Sequence, residues 1–198
     1  MKKELFSVPI HYGFISSNDF LKEKLLPRIE LTRDKVELPE DWDTNKLITS
    51  FNHNDFNEMI FDDITYYSYM DCISDAFGNT GPTKIQKLWY NYYADGEFQE
   101  IHNHIGDIFN PTHMCGVHFL QYDKRIHEPL VFEDPMMKLR SYGWEAVTDY
   151  EETFTVDASE GDVVFFPPYL DHKVKSGNPT PDYPRITVAF NIQFSDNE

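Results

Sequence analysis

The stretch EGDVVFFPPYLDHKV, residues 160–174, decides the fold. A Gly-Asp turn launches a short apolar strand, two prolines bend the chain, and His172 begins the next strand. The same texture surrounds it on both sides. IQKLWYNYY (85–93), MCGVHFLQY (114–122), PLVFE (129–133), TFTVD (153–157), DHKVKS (171–176) and RITVAFNIQF (185–194) are also short, aromatic and β-branched, each with Gly, Pro, Asn or Asp nearby. Seven short strands with no helical pattern between them predict a β-sandwich or jelly roll and exclude a parallel α/β sheet.

Upstream of Pro82 the pattern is mixed. ELFSVPIHYGFI (4–15) has the composition of a strand, and Pro9 marks it as an edge. Asn18 or Asp19 is placed to cap a short helix with Leu21, Leu25 and Leu26 on its apolar face, and Pro27 should end it. Residues 33–53 read as a loop. Phe56, Ile60, Ile64 and Tyr67 recur at helical spacing, which predicts one long amphipathic helix over 54–76, stopped by Gly78. The fold class is therefore α+β: a double-stranded β-helix (jelly-roll) core with N-terminal helices packed on one sheet. At 198 residues the chain reads as one domain, 1–198, with its motifs carried over 84–194.

Bulk composition removes several function classes. Forty per cent hydrophobic residues, with 16% aromatic, are those of a globular chain. A net charge of −17 argues against nucleic acid or an anionic membrane as a partner, because both require clustered Lys and Arg. Cys72 and Cys115 lie far apart with no CxxC, which predicts buried thiols in a reducing compartment. No secretory h-region and no apolar run of membrane-spanning length occurs, so a cytoplasmic location is expected.

The chemistry centres on EFQEIHNHIGD, residues 97–107. In a strand, residues i and i+2 share a face, so His102 and His104 can converge on one point. Neutral imidazole suits Fe, Zn, Cu or Ni, but two ligands make a poor site. In this topology a third should come from a strand ending beside the first pair, and His172 is the best candidate. His11 and His53 lie in the N-terminal half, His113 and His127 are loop-like, and His118 reads as a satisfied strand histidine. Asp107, three residues beyond His104, is an alternative to it as ligand. Arg185, Thr187, Ala189 and Asn191 share one face of the last strand. An arginine facing into an apolar barrel would be an expensive buried charge unless it meets an anion, and guanidinium matches a carboxylate in a two-pronged contact. A surface arginine on an edge strand is the competing reading of that residue by itself.

The order of these parts resembles the Fe(II)- and 2-oxoglutarate-dependent oxygenases. It is most similar to a prolyl-4-hydroxylase-like branch found in bacteria and cyanophages, which reads W-x-N-x-Y…G…H-x-H…G-D-x-x-x-F-P…H…R-x-[ST]-x-x-F-N. The matching positions are Trp89, Asn91, Tyr93, Gly96, His102, His104, Gly161, Asp162, Phe166, Pro167, His172, Arg185, Thr187, Phe190 and Asn191. The resemblance implies a hydroxylase in which His102, His104 and His172 bind Fe(II). Arg185, helped by Thr187, Tyr92 or Tyr93, and Asn91, would then bind 2-oxoglutarate as cosubstrate. It further implies O2 and a small-molecule or peptide substrate, with the host cytoplasm as the location if the chain is phage-encoded. His104 departs from the carboxylate usual in the wider superfamily. A cupin-like three-His dioxygenase or isomerase without 2-oxoglutarate, and a non-catalytic jelly-roll binding module, are the alternatives. IGDIFNPTH (105–113) and the loop around 136–152 are the expected substrate-facing segments.

Overall fold

A computed structural model describes residues 7–37, 47–78, 83–106, 108–136 and 151–194. In chain order the elements are β1 (His11–Phe14), α1 (Asn18–Thr32), β2 (Ile48–Thr49), α2 (Asn54–Ile60), α3 (Asp63–Phe77), β3 (Thr83–Tyr93), β4 (Gln99–His102), β5 (Met114–Gln121), β6 (Leu130–Glu133), β7 (Thr153–Thr155), β8 (Asp162–Phe166), β9 (His172–Val174) and β10 (Arg185–Phe194). Two antiparallel sheets form, a larger one in the order β1-β8-β5-β10-β3-β2 and a smaller one in the order β4-β9-β6-β7. This is a jelly-roll core with helices packed on one sheet, as the sequence predicts, and the edge position of β1 agrees with Pro9 just before it. Among the described residues no helix is long and apolar enough to cross a membrane.

Period-2 alternation in the larger sheet separates two cores. Tyr90 and Tyr92 of β3, Val163 and Phe165 of β8, and Ile186, Val188 and Phe190 of β10 pack with Leu21, Leu25 and Ile29 of α1 and Tyr69 and Ile73 of α3. The intervening residues Trp89, Tyr93, Val164, Phe166 and Ala189 turn inward to meet Leu130, Phe132 and Val174 of the smaller sheet. With both faces covered, β8 reads as an unbroken apolar run. The layer beside the helices is tight. Gly116 of β5 pairs with Phe190, and a Cβ built on it would lie 2.3 Å from Cζ of that ring.

Three expectations from the first half are corrected. Helix α1 continues through Pro27 to Thr32. An interior proline costs about 3 kcal/mol, but the helix carries Leu21, Leu25 and Ile29 fully buried across that point, and each contributes about 1.5–3 kcal/mol. The expected single helix over 54–76 is two helices, because Phe61 turns extended and Asp62 caps α3 by accepting from the Thr65 backbone N–H at 3.2 Å. The buried face of α3 is then Thr65, Tyr69, Cys72 and Ile73, while Ile64 and Tyr67 are exposed. The stretch expected as a loop contains a 3-10 turn at Arg33–Lys35 and the short strand β2. Cys72 and Cys115 are buried free thiols.

Candidate active site

Three histidines converge between the sheets. His102 ends β4 and stands directly opposite His172, the first residue of β9. His104 follows β4 in a segment anchored by its own backbone N–H, which donates to the Pro168 carbonyl at 2.8 Å. The prolines that bend the chain after β8 thus also fix the second histidine. Between the pair, Asn103 donates to Asp171 at 2.9 Å, tying the H-x-H segment to the residue before His172. One ring nitrogen from each histidine lies within 4.8 Å of the others.

Each ring is held by its other nitrogen. His102 Nδ1–H donates to the Glu100 carbonyl, His172 Nδ1–H to the Leu170 carbonyl, and His104 Nδ1–H to Asn191 Oδ1, all at 2.9 Å. These acceptors fix one tautomer and leave each ring an Nε2 lone pair. Burial keeps the rings neutral. It pushes His104 down to about 4, aided by the neighbouring His102, and pushes His172 well below the ordinary range and His102 below it. Phe132 and Phe166 wall His172, with ring centroids 5.9 and 4.7 Å away. Three neutral, oriented imidazoles with no proton to displace are a fitting donor set for a divalent first-row metal.

A narrow pocket opens from the histidines along β3 and β10 and ends at Arg185. Register pairs Arg185 with Tyr93 and Thr187 with Asn91, so all four line the same wall. Arg185 is only 3% exposed, stacks 4.7 Å from the Tyr93 ring centroid, and has Nε and Nη1 without hydrogen-bond partners among the described residues. Asn91 Oδ1 and Trp89 Nε1, on the same wall, also lack partners there. Burial pushes the Tyr93 hydroxyl up to about 12, so it is a neutral donor, and it donates to Gln99 Oε1 at 3.0 Å. Buried polar atoms left open on one pocket wall call for a polar ligand, and the buried guanidinium specifies an anionic one.

Of the residues singled out from sequence, the structure brings His102, His104, His172, Arg185, Thr187, Asn91 and Tyr93 to this pocket. Tyr92 is not among them. Strand alternation turns it to the helical side, where its hydroxyl meets Arg33. Asp107 lies outside the described residues, as does most of the expected substrate loop over 136–152. His118 is fully buried on the helical side and shares a 2.9 Å hydrogen bond with the Tyr69 hydroxyl. Sequence reasoning missed Gln99, whose amide reaches His102 Nε2 at 3.3 Å, and it gave Asn191 no contact of its own. Asn191 was legible as a polar residue on the inward face of β10; its partner was not.

A family model described as "Putative 2OG-Fe(II) oxygenase" matches residues 87–191, just over half of the 198 residues. No curated protein sequence matches the chain. Among solved structures, a Pseudomonas putida prolyl-4-hydroxylase superposes with TM-score 0.57 at 10% identity, covering 96% of this chain and 95% of that one. HygX from Streptomyces hygroscopicus, with nickel and 2-oxoglutarate bound, gives 0.60 at 10% identity over 93% and 82% of the two chains. SnoN, a non-heme alpha ketoglutarate dependent epimerase from nogalamycin biosynthesis, gives 0.60 at 12% identity over 94% and 78%. At these identities the likeness is one of fold, and the family match is carried by sequence. Its span holds the three histidines and Arg185, and the chain belongs to the 2OG-Fe(II) oxygenase family.

Proposed function

We propose that His102, His104 and His172 hold Fe(II) and that Arg185 binds the distal carboxylate of 2-oxoglutarate, in an enzyme that hydroxylates a small-molecule or peptide substrate. The observation that carries this reading is the buried Arg185 guanidinium at the far end of the pocket that starts at the histidines, with Nε and Nη1 lacking hydrogen-bond partners among the described residues. A cosubstrate-free three-His enzyme would leave Nε and Nη1 of that arginine unsatisfied. When bound, the metal supplies the O2 chemistry that couples decarboxylation of the cosubstrate to oxidation of the substrate.

The chain's own residues do the rest. Arg185 offers two open donors to a carboxylate, and the Tyr93 ring beneath it limits the guanidinium to one orientation. Thr187 and Asn91, on the neighbouring inward positions, add polar contacts along the ligand. Backbone carbonyls and Asn191 keep the imidazole Nε2 atoms aimed and deprotonated. Phe132 and Phe166 exclude water from one side of His172. Supplied with Fe(II), O2 and 2-oxoglutarate, the protein should release succinate, and His172→Ala should abolish that release. Succinate formation that survives His172→Ala would overturn the ligand assignment.

A further inference from the structure

Positions 87, 89, 91 and 93 of β3 point to the same face. Opposite them on β10 stand Asn191, Ala189, Thr187 and Arg185. The strand therefore runs from the Arg185 end of the pocket, past His104, to Lys87 on the far side. His104 marks the middle: its ring lies 5.6 Å from Trp89, and its Nδ1 is held by Asn191, the residue across from Lys87. Lys87 Nζ sits 3.3 Å from the centroid of the Phe51 ring, and Phe51 meets Trp89 edge-on at 5.1 Å.

Two donors at this end have no acceptor among the described residues. Lys87 is half-buried and makes no ion pair among the described residues, in a chain with 34 acidic side chains available to supply one. Burial lowers its affinity for a proton, with no carboxylate opposing that effect. Trp89 is 2% exposed and lines the pocket, and its indole N–H has no partner among the described residues. An ammonium over one aromatic ring, two positions along the same strand face from an unsatisfied N–H, is a receptor for an anionic oxygen that the described residues do not provide.

We propose that the substrate presents a carboxylate to Lys87 and Trp89, with Phe51 packing against the apolar group beside it. The inference rests on the Fe(II)/2-oxoglutarate reading of this pocket and assigns two carboxylates to two cations of one strand face, Arg185 inside the pocket and Lys87 beyond His104. Arg185 takes the cosubstrate at one end, and Lys87 takes the substrate at the other, with the histidines between. A single ammonium on a protein of net charge −17 favours a monoanion over a phosphate dianion.

The test compares phenylacetate with phenylacetamide, which have the same shape and differ in charge. Each is titrated calorimetrically into anaerobic protein loaded with Fe(II) and saturating 2-oxoglutarate, so that Arg185 is already engaged. Phenylacetate should bind at least about tenfold more tightly than the amide, since a charge-assisted contact replaces a neutral one. Lys87→Met should erase the difference and Lys87→Arg should keep most of it, which separates lost charge from lost fold. The proposal is overturned if acid and amide bind equally, if neither binds, or if the difference survives Lys87→Met. It is equally overturned if phenyl phosphate binds more tightly than phenylacetate, or if rising 2-oxoglutarate displaces the acid. Discrimination at Lys87 in a protein that takes up no 2-oxoglutarate would sink the cosubstrate reading and leave the anion site standing.

Discussion

Replacing Arg185 with methionine should move two properties in opposite directions. In the metal-free protein the guanidinium is almost fully buried, with two unpaired nitrogens and no carboxylate beside it among the described residues. Exchanging such a buried charge for an apolar side chain of similar volume stabilises proteins by about 1–4 kcal/mol. Loss of the stacking on Tyr93 takes back about 1–2 kcal/mol. At the midpoints of these ranges a net gain of about 1 kcal/mol remains, or a melting temperature raised by about 2–4 °C for a chain of this size. The cosubstrate feels the opposite effect. Two charge-assisted hydrogen bonds at about 1.5–3 kcal/mol each sum to about 3–6 kcal/mol, which weakens 2-oxoglutarate binding by about 10²- to 10⁴-fold. Scanning calorimetry of the metal-free protein and anaerobic cosubstrate titration of the iron-loaded protein read the two effects separately. A variant that is less stable, and that binds 2-oxoglutarate as the parent does, would show that Arg185 is a structural cation satisfied in some other way.

The second prediction concerns Asn191, the acceptor for His104 Nδ1–H. Asn191→Leu should weaken metal binding by about 10- to 100-fold, and Asn191→Asp should retain most of it; equal affinities in Asn191→Leu and the parent would remove the orienting role. A third concerns pH. Burial depresses His118 to about 3, while an unfolded histidine titrates near about 6.5. Between those values only the unfolded chain binds the proton, so stability is full above about pH 6.5 and falls as pH drops, by about 1.4 kcal/mol per unit for this ring. His118→Asn keeps a partner for the Tyr69 hydroxyl and should flatten that slope in denaturant titrations at pH 5 to 6.5; an unchanged slope would contradict the assignment. The fourth is steric. Gly116→Ala drives a methyl against the fully buried Phe190 ring and should cost about 1–3 kcal/mol in urea unfolding, and no loss would mean that the ring can move aside.

The strands were legible because each had its own punctuation. Gly161-Asp162 before β8, Pro167-Pro168 after it and Pro184 before β10 bound runs that could be nothing else. Strand β4 escaped separate notice because QEIH is polar and four residues long, and its place is set by pairing with β9. The helices were less legible. Propensity at Pro27 and periodicity over 54–76 are local signals, and the outcome was decided by burial of Leu25 and Ile29 and by the Asp62 cap. The site's ligand geometry followed from period-2 spacing, which also separates Tyr93 from Tyr92 once a register is known. Contacts such as Asn191 to His104, far apart in sequence, and Gln99 to His102, within β4, depend on side-chain directions that no spacing rule supplies.

The central claim is that one pocket holds a metal at the three histidines and a 2-oxo acid anchored on Arg185. Anaerobic titration of the metal-free protein with Fe(II), then with 2-oxoglutarate, tests it through visible absorbance and needs no substrate. A charge-transfer band that requires both components, is lost in His172→Ala, and shifts to far higher cosubstrate concentration in Arg185→Met is the predicted result. Iron binding with no response to 2-oxoglutarate, or a band that persists in His172→Ala, would contradict it.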